Sequence, residues 1–158
     1  MSVIAIDLAM HHLLAEPEDQ MLVQAQLDAA EEAAMQFLNR RFYLDQVTLD
    51  EARAGVSAAL QQAKDANAAA VTAAETEQDY TLRCRLLDHA RQALADAYDH
   101  ADAIAYGMVL NSSIQAACLL KLGHLFANRE DVVTGTIATE LPVASQHLLM
   151  PYRIRMGV

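Results

Sequence analysis

Between Pro17 and Pro142 the chain contains no proline, and between Gly55 and Gly107 it contains no glycine either. A long run that lacks both helix breakers and is dominated by alanine, the strongest helix former, has few folding options other than helix. Its first half, "EARAGVSAALQQAKDANAAAVTAAE", sets Val56, Leu60, Ala63, Ala70 and Ala74 along a thin apolar seam. The second half, "LRCRLLDHARQALADAYDHADAIAYG", answers with Leu86, Ala90, Ala93, Ala97 and Ile104. Seams built of small residues let helices approach closely, so residues 50–106 are expected to fold as an antiparallel helical hairpin. The bend is expected within "ETEQDYT", residues 75–81, where Thr76 is a candidate N-cap with Asp79 three residues on. The alternatives are one continuous helix of about 50 residues, roughly 75 Å long at 1.5 Å per residue, or partial disorder of a low-complexity segment. The apolar period on both arms speaks against disorder.

The flanks also read as helix, which makes the expected fold class all-α: a small helical bundle with an inserted alanine-rich hairpin. Residues 4–12 suit a short first helix. Pro17, followed by Glu18 and Asp19, marks a helix start, with proline in the first turn and acids at the positive dipole end. Val23, Leu27, Ala30, Ala34 and Phe37 then form a stripe at steps of four and three. Arg40 and Arg41 stand where cations suit a helix C-terminus. After the hairpin, Asn111, Ser112 and Ser113 supply cap residues, and Ser112 with Gln115 fits a capping box. Ile114, Cys118, Leu122 and Leu125 face inward on the helix that follows, and its end runs into the polar cluster His124, Asn128, Arg129, Glu130 and Asp131. A loop of about a dozen residues, long for a compact domain, leads to a short helix from Pro142 to just before Pro151. The tail "YRIRMGV" carries Arg153 and Arg155 and reads as an exposed basic segment, residues 151–158, on an acidic body.

The 158 residues suffice for a single domain with a real core. Eleven Lys and Arg against twenty-one Asp and Glu give a formal charge of −10. That balance argues against nonspecific grip on a phosphate backbone, which needs cations to displace counterions. It does not exclude a protein that DNA merely passes. No apolar run reaches the roughly 18 to 20 residues of a membrane span. The start, "MSVIAIDLAMHH", lacks the basic opening of a signal peptide. Cys84 and Cys118 both fall in helical patterns and are expected to be buried free thiols in a reducing compartment.

Catalytic or metal chemistry finds little support. Asp96 and His100 lie one turn apart in "DAYDHADA", with Asp99 and Asp102 on the next stripe, but the facing Glu-x-x-His ligands of a helical metal site are absent from the sequence. His11 and His12 are adjacent, point to different helix sides, and are not part of a His-Glu-x-x-His pattern. A phosphate-binding glycine loop and a nucleophile elbow are likewise missing. The chain is expected to be no enzyme and to need no cofactor or metal.

Two segments carry a resemblance. "NSSIQAACLLKLGHLFANREDVVTG", followed after a short gap by "LPVASQHLLMPYRI", resembles the head–tail connector (adaptor) family of tailed bacteriophages and prophages. The earlier "MHHLLAEPEDQMLVQAQLDAAEEAAMQFLNRRF" is similar to that family's N-terminal part, where a short helix passes through an acidic turn into a long helix ending in arginines. The likeness covers roughly residues 4–44 and 109–155; the alanine-rich hairpin departs from the shorter members, whose halves are joined by a brief loop. The resemblance implies a structural virion protein, made in the bacterial host cytoplasm and placed at the head–tail junction. It would form a ring of typically about twelve copies beneath the portal protein, continue the DNA channel without sequence-specific binding, and present a surface to a tail or head-completion protein. His124, Arg129, Glu130 and Asp131 would then brace the helix end and loop against a neighbouring subunit, and Arg153 and Arg155 would dock on the portal. From the residues alone, His124 reads as a half-buried structural histidine, Arg129 with Glu130 or Asp131 as a local ion pair, and Arg153 and Arg155 as solvated charge. The other functional class is a generic helical interaction module or a phage assembly chaperone with no place in the virion.

Overall fold

The computed structural model describes residues 2–128 and 144–154. Among them the chain is all-α, with six helices: α1 (Ile6–Leu13), α2 (Gln20–Leu38), α3 (Gln46–Glu75), α4 (Tyr80–Ala105), α5 (Ser112–Ala127) and α6 (Ala144–Leu149). Short 3-10 turns, Pro17–Asp19 and Met150–Tyr152, precede α2 and follow α6. Two compact units emerge: Met1–Gln46 with Met108–Val158, and Val47–Gly107.

The first unit is built on α2. This helix packs on α5, which in turn packs on α6, while α1 lies against both α2 and α5. The stripe expected on α2 is the buried one: Val23, Leu27, Ala30 and Ala34 are buried, and Leu38 completes it while Phe37 packs partly buried beside it. From α5 come Ile114, Ala117, Cys118 and Leu122, with Ala9 from α1 and Leu149 from α6. Truncating a fully enclosed side chain such as Leu27 to alanine in such a core costs about 2–5 kcal/mol.

Local chemistry explains the boundaries. Pro17 opens a 3-10 turn, and α2 proper starts at Gln20. Its end falls before Arg40 and Arg41: Asn39 adopts a left-handed φ of 55°, a conformation asparagine tolerates, and stops the helix. The cap of α5 is Asn111, whose side chain accepts from the Ile114 N–H at 2.9 Å, in place of the expected Ser112 box. Asparagine is at least as good an N-cap as serine, and here it stands one residue earlier.

A feature the sequence did not announce closes this unit. Phe42–Tyr43 (β1) pairs in parallel with Met108–Val109 (β2). The Met108 N–H donates to the Arg41 carbonyl at 3.0 Å and the Leu110 N–H to the Tyr43 carbonyl at 2.8 Å. The chain thus leaves and re-enters the unit side by side, at the spacing of neighbouring strands, about 4.8 Å.

The second unit is the alanine-rich antiparallel hairpin, α3 and α4. Helix α3 begins at Gln46, a turn earlier than expected. Arg53, near the start of α3, donates from Nε to the Ala105 carbonyl at 3.1 Å and from its terminal nitrogen to the Gly107 carbonyl at 3.0 Å. It thereby satisfies orphan carbonyls at the end of α4. At the bend, Asp79 is the cap, accepting from Thr81 and Leu82 N–H groups at 2.8 and 3.2 Å. Thr76 is not: its hydroxyl donates back to the Ala73 carbonyl at 2.7 Å, because it sits on the last turn of α3.

The seam also differs in detail. Val56, Leu60, Ala63 and Ala74 point inward as expected, joined by Asn67 and Val71, whereas Ala70 is exposed. On α4 the inward positions are Leu87, Ala90, Leu94, Ala97, Ala101 and Ile104, leaving Leu86 and Ala93 exposed. Two apolar stripes run side by side on α4, and the one holding Leu87 and Leu94 removes more surface from water between the helices.

Cys118 is fully buried, and burial pushes its thiol up to about 12, with the Glu31 charge adding to the rise and Lys121 opposing it. Cys84 is only half-buried, contrary to the expectation for both thiols. A thiol probe should therefore modify Cys84 in the native protein, whereas in a Cys84→Ser variant labelling of Cys118 should appear only along the denaturant unfolding curve. The side-by-side exit and entry lead to a second expectation. Replacing residues 47–107 by a Gly/Ser linker of about 12 residues, long enough for a parallel connection, should leave a cooperative thermal transition measured by circular dichroism. Loss of that transition would make the hairpin part of the first unit's core.

Candidate subunit interface

Of the residues singled out in the sequence, the described structure contains His124 and Arg153; Arg129, Glu130, Asp131 and Arg155 lie outside the described residues. His124 occupies the last turn of α5, half-buried. Asn128 closes that helix, its backbone N–H donating to the His124 carbonyl at 3.0 Å and its side-chain Nδ2 to the same carbonyl at 2.9 Å. Since a carbonyl only accepts, the amide nitrogen is the atom facing His124. The same Nδ2 lies 2.8 Å from His124 Nδ1. His124 and Asn128 thus form a local helix terminator.

Arg153 is not in a solvated tail. Residues 150–154 lie along the end of α2: the Ile154 N–H donates to the Leu38 carbonyl at 3.1 Å, Asn39 Nδ2 donates to the Ile154 carbonyl at 2.9 Å, and Arg40 donates to the Tyr152 carbonyl at 3.2 Å. The Arg153 guanidinium stacks over the Phe37 ring at 4.8 Å, and its Nε is buried with no hydrogen-bond partner among the described residues. The exposed-tail expectation therefore fails as far as Ile154. The left-handed turn at Asn39 frees its side chain and the Leu38 carbonyl to receive this strand-like segment. Neither Arg40 nor Arg41 acts as a plain dipole partner; Arg41 instead lies 3.5 Å from Glu32 in an exposed pair of little energetic weight.

Two features escaped the sequence reading. Glu31 is buried, and its carboxylate accepts the Val3 N–H at 2.8 and 3.1 Å and the Ile4 N–H at 2.8 Å, fixing the N-terminal segment to α2. The available signal was an acid in the apolar stripe, four residues after Leu27 and three before Ala34. The other is a pair of open apolar side chains, Leu14 just after α1 and Met21 in the first turn of α2, 84% and 85% exposed, the most open large apolar side chains described. Asp96, by contrast, is held on its own helix by Gln92 Nε2 at 2.7 Å, and among the described residues no three His, Cys, Asp or Glu side chains converge as metal ligands.

Comparison of the chain with family models, with curated proteins and with solved structures returns no match.

Glu31 supplies a pH signature. Loss of hydration lifts its carboxyl above the ordinary value, outweighing the Val3 and Ile4 amides that favour the charged form, and the neighbouring Asp28 adds to the rise. The folded chain then keeps this proton to higher pH than the unfolded chain does. The group's contribution to stability is greatest at and below the ordinary carboxylate value of 4.5, falls as pH rises through the raised value, and levels off above it. Urea unfolding as a function of pH should show this decline in the wild type and lose it in Glu31→Gln. Glu31→Ala should cost about 2 kcal/mol, because the Val3 and Ile4 amides lose their acceptor.

Proposed function

We propose that this protein is a structural head–tail connector: a ring of about twelve copies beneath a phage portal, continuing the DNA channel and joining the filled head to the tail. The observation that carries the reading is a coincidence of boundaries. The stretches resembling the connector family, residues 4–44 and 109–155, are the two stretches that fold together as one unit, Met1–Gln46 with Met108–Val158. The hairpin that departs from the shorter members is inserted at one point of that unit, where β1 and β2 hold its two ends side by side.

Charge supports the same reading. A formal charge of −10 disfavours attachment to phosphates, and a channel lined by acids lets DNA slide where a basic wall would hold it. The exposed Met21 offers apolar contact for a neighbouring subunit, beside the contact expected of His124, Arg129, Glu130 and Asp131.

The test is recruitment to the portal encoded in the same genome. Purified protein mixed with portal rings should co-sediment at a fixed ratio near twelve copies per portal, and Met21→Lys should weaken that recruitment while leaving the melting transition in place. Free protein should not retard duplex DNA at physiological salt. Absence of any complex with the portal would sink the connector reading. Association with unfinished heads but not with mature virions would assign the chain to assembly chaperoning.

A further inference from the structure

We infer that two copies of this chain pair through the face of the hairpin whose α3 half carries no charge, running antiparallel to form a four-helix bundle. The sidedness follows from the seam. With Val56, Leu60, Ala63, Asn67 and Val71 turned inward, helical periodicity puts Gly55, Ala59, Ala66 and Ala73 on one flank of α3 and Ser57, Gln61 and Lys64 on the other. The antiparallel partner helix α4 turns Leu82, Leu86 and Ala93 to the same side as the glycine and alanines. The concavity lined by Arg53, Ser57, Gln61, Lys64 and Ala105 lies on the opposite side, as this handedness requires.

This face is open in the single chain. Leu82 and Leu86 are 46% and 38% exposed, and a Cβ added at Gly55 would meet nothing within 4 Å. The hairpin also needs cover. Its fully buried apolar residues are Leu49, Ala74, Ala90 and Ala101, three of them alanines, a thin return for ordering two long helices.

Three observations select a second copy as the occupant. First, α3 carries no charged residue on this face and α4 adds only His89 and His100 alongside Leu82, Leu86 and Ala93, so two acidic chains can meet there without bringing carboxylates together. Second, Arg85 and Asp96 stand on the outer edge of the face, opposite in sign and three turns apart. An antiparallel copy sets Arg85 against Asp96 of the partner subunit, and two-fold symmetry makes that pair twice. Third, the register so defined is centred between Ala90 and Arg91 on α4. The contact of Arg53 with Ala105, together with the bend after Glu75, places that level beside Asn67 and Ala68 of α3. Ala66 of one copy then faces Ala69 of the partner subunit, and such small residues permit close approach. The overlap is about 30 Å long and about 20 Å wide, or about 600 Å² per copy, the lower end of what a stable interface buries.

The experiment is sedimentation of the full chain from about 1 μM to about 1 mM, the range spanned by weak specific dimers. The wild type should show a reversible monomer–dimer equilibrium. Arg85→Asp and Asp96→Arg should each raise Kd about tenfold, and the doubly exchanged Arg85→Asp/Asp96→Arg should return it to near the wild-type value, with helical content unchanged in all. Leu86→Lys, placed in the middle of the face, should abolish the dimer. A wild type that stays monomeric throughout, or an association indifferent to these changes, overturns the inference. It stands apart from the connector reading: a chain that dimerises this way but never binds a portal keeps the inference and loses that reading.

Discussion

The packing of α2 on α5 is the contact on which the first unit rests. It joins Val23, Leu27, Ala30 and Leu38 to Ile114, Cys118 and Leu122 across a long sequence separation. Closing so large a loop costs little more than closing a shorter one, since the entropy rises only with the logarithm of length. The intervening hairpin is built from local contacts, and once formed it takes no part in that search. The β1–β2 bridge then finishes the closure with ladder bonds from Met108 to Arg41 and from Leu110 to Tyr43.

Both ends of the chain use α2 as their anchor, by different chemistry. At the N-terminal end a buried carboxylate, Glu31, replaces water for two backbone amides. At the other, the helix stops in a left-handed turn, and the freed Leu38 carbonyl and Asn39 side chain take up Ile154. Burial works against the charge on Glu31 while the Val3 and Ile4 amides favour it, so the N-terminal anchor responds to pH in a way the C-terminal one does not.

Strong periodicity made much of this legible. The α2 and α5 stripes, the proline at the start of α2 and the all-helical hairpin follow from spacing and punctuation, and they position the core. Failures occurred where two local options were nearly equal. Thr76 and Asp79 are both cap residues, as are Asn111 and Ser112, and composition cannot rank shifts of three residues or of one. On α4 a uniformly small seam gave two neighbouring stripes, separated only by the sizes of Leu87 and Leu94. The β1–β2 bridge was invisible because two residues make no period, and the docking of Arg153 on Phe37 because basic residues near a C-terminus read equally well as solvated. Glu31 was legible in principle: an acid in an apolar register is either a mistake in the pattern or a buried acceptor.

Charge order in α4 links the hairpin's stability to what surrounds it. Arg83, Arg85 and Arg91 fall in the N-terminal half, with Asp88 paired to Arg91, and Asp96, Asp99 and Asp102 fall in the C-terminal half, an excess that is the reverse of what the helix dipole favours. Asp79 corrects the first turn by capping it, and Arg53 corrects the last by bonding the Ala105 and Gly107 carbonyls. Both corrections come from outside α4: one from the bend, the other from α3. A helix that draws its end-stabilisation from its partner is stable as half of a hairpin and weak alone. On the edge that holds Arg85 and Asp96, the reversed order is also the pattern that an antiparallel copy of the same helix complements. In a helix whose dipole opposes that order, the complement at this pair is a gain available only through assembly.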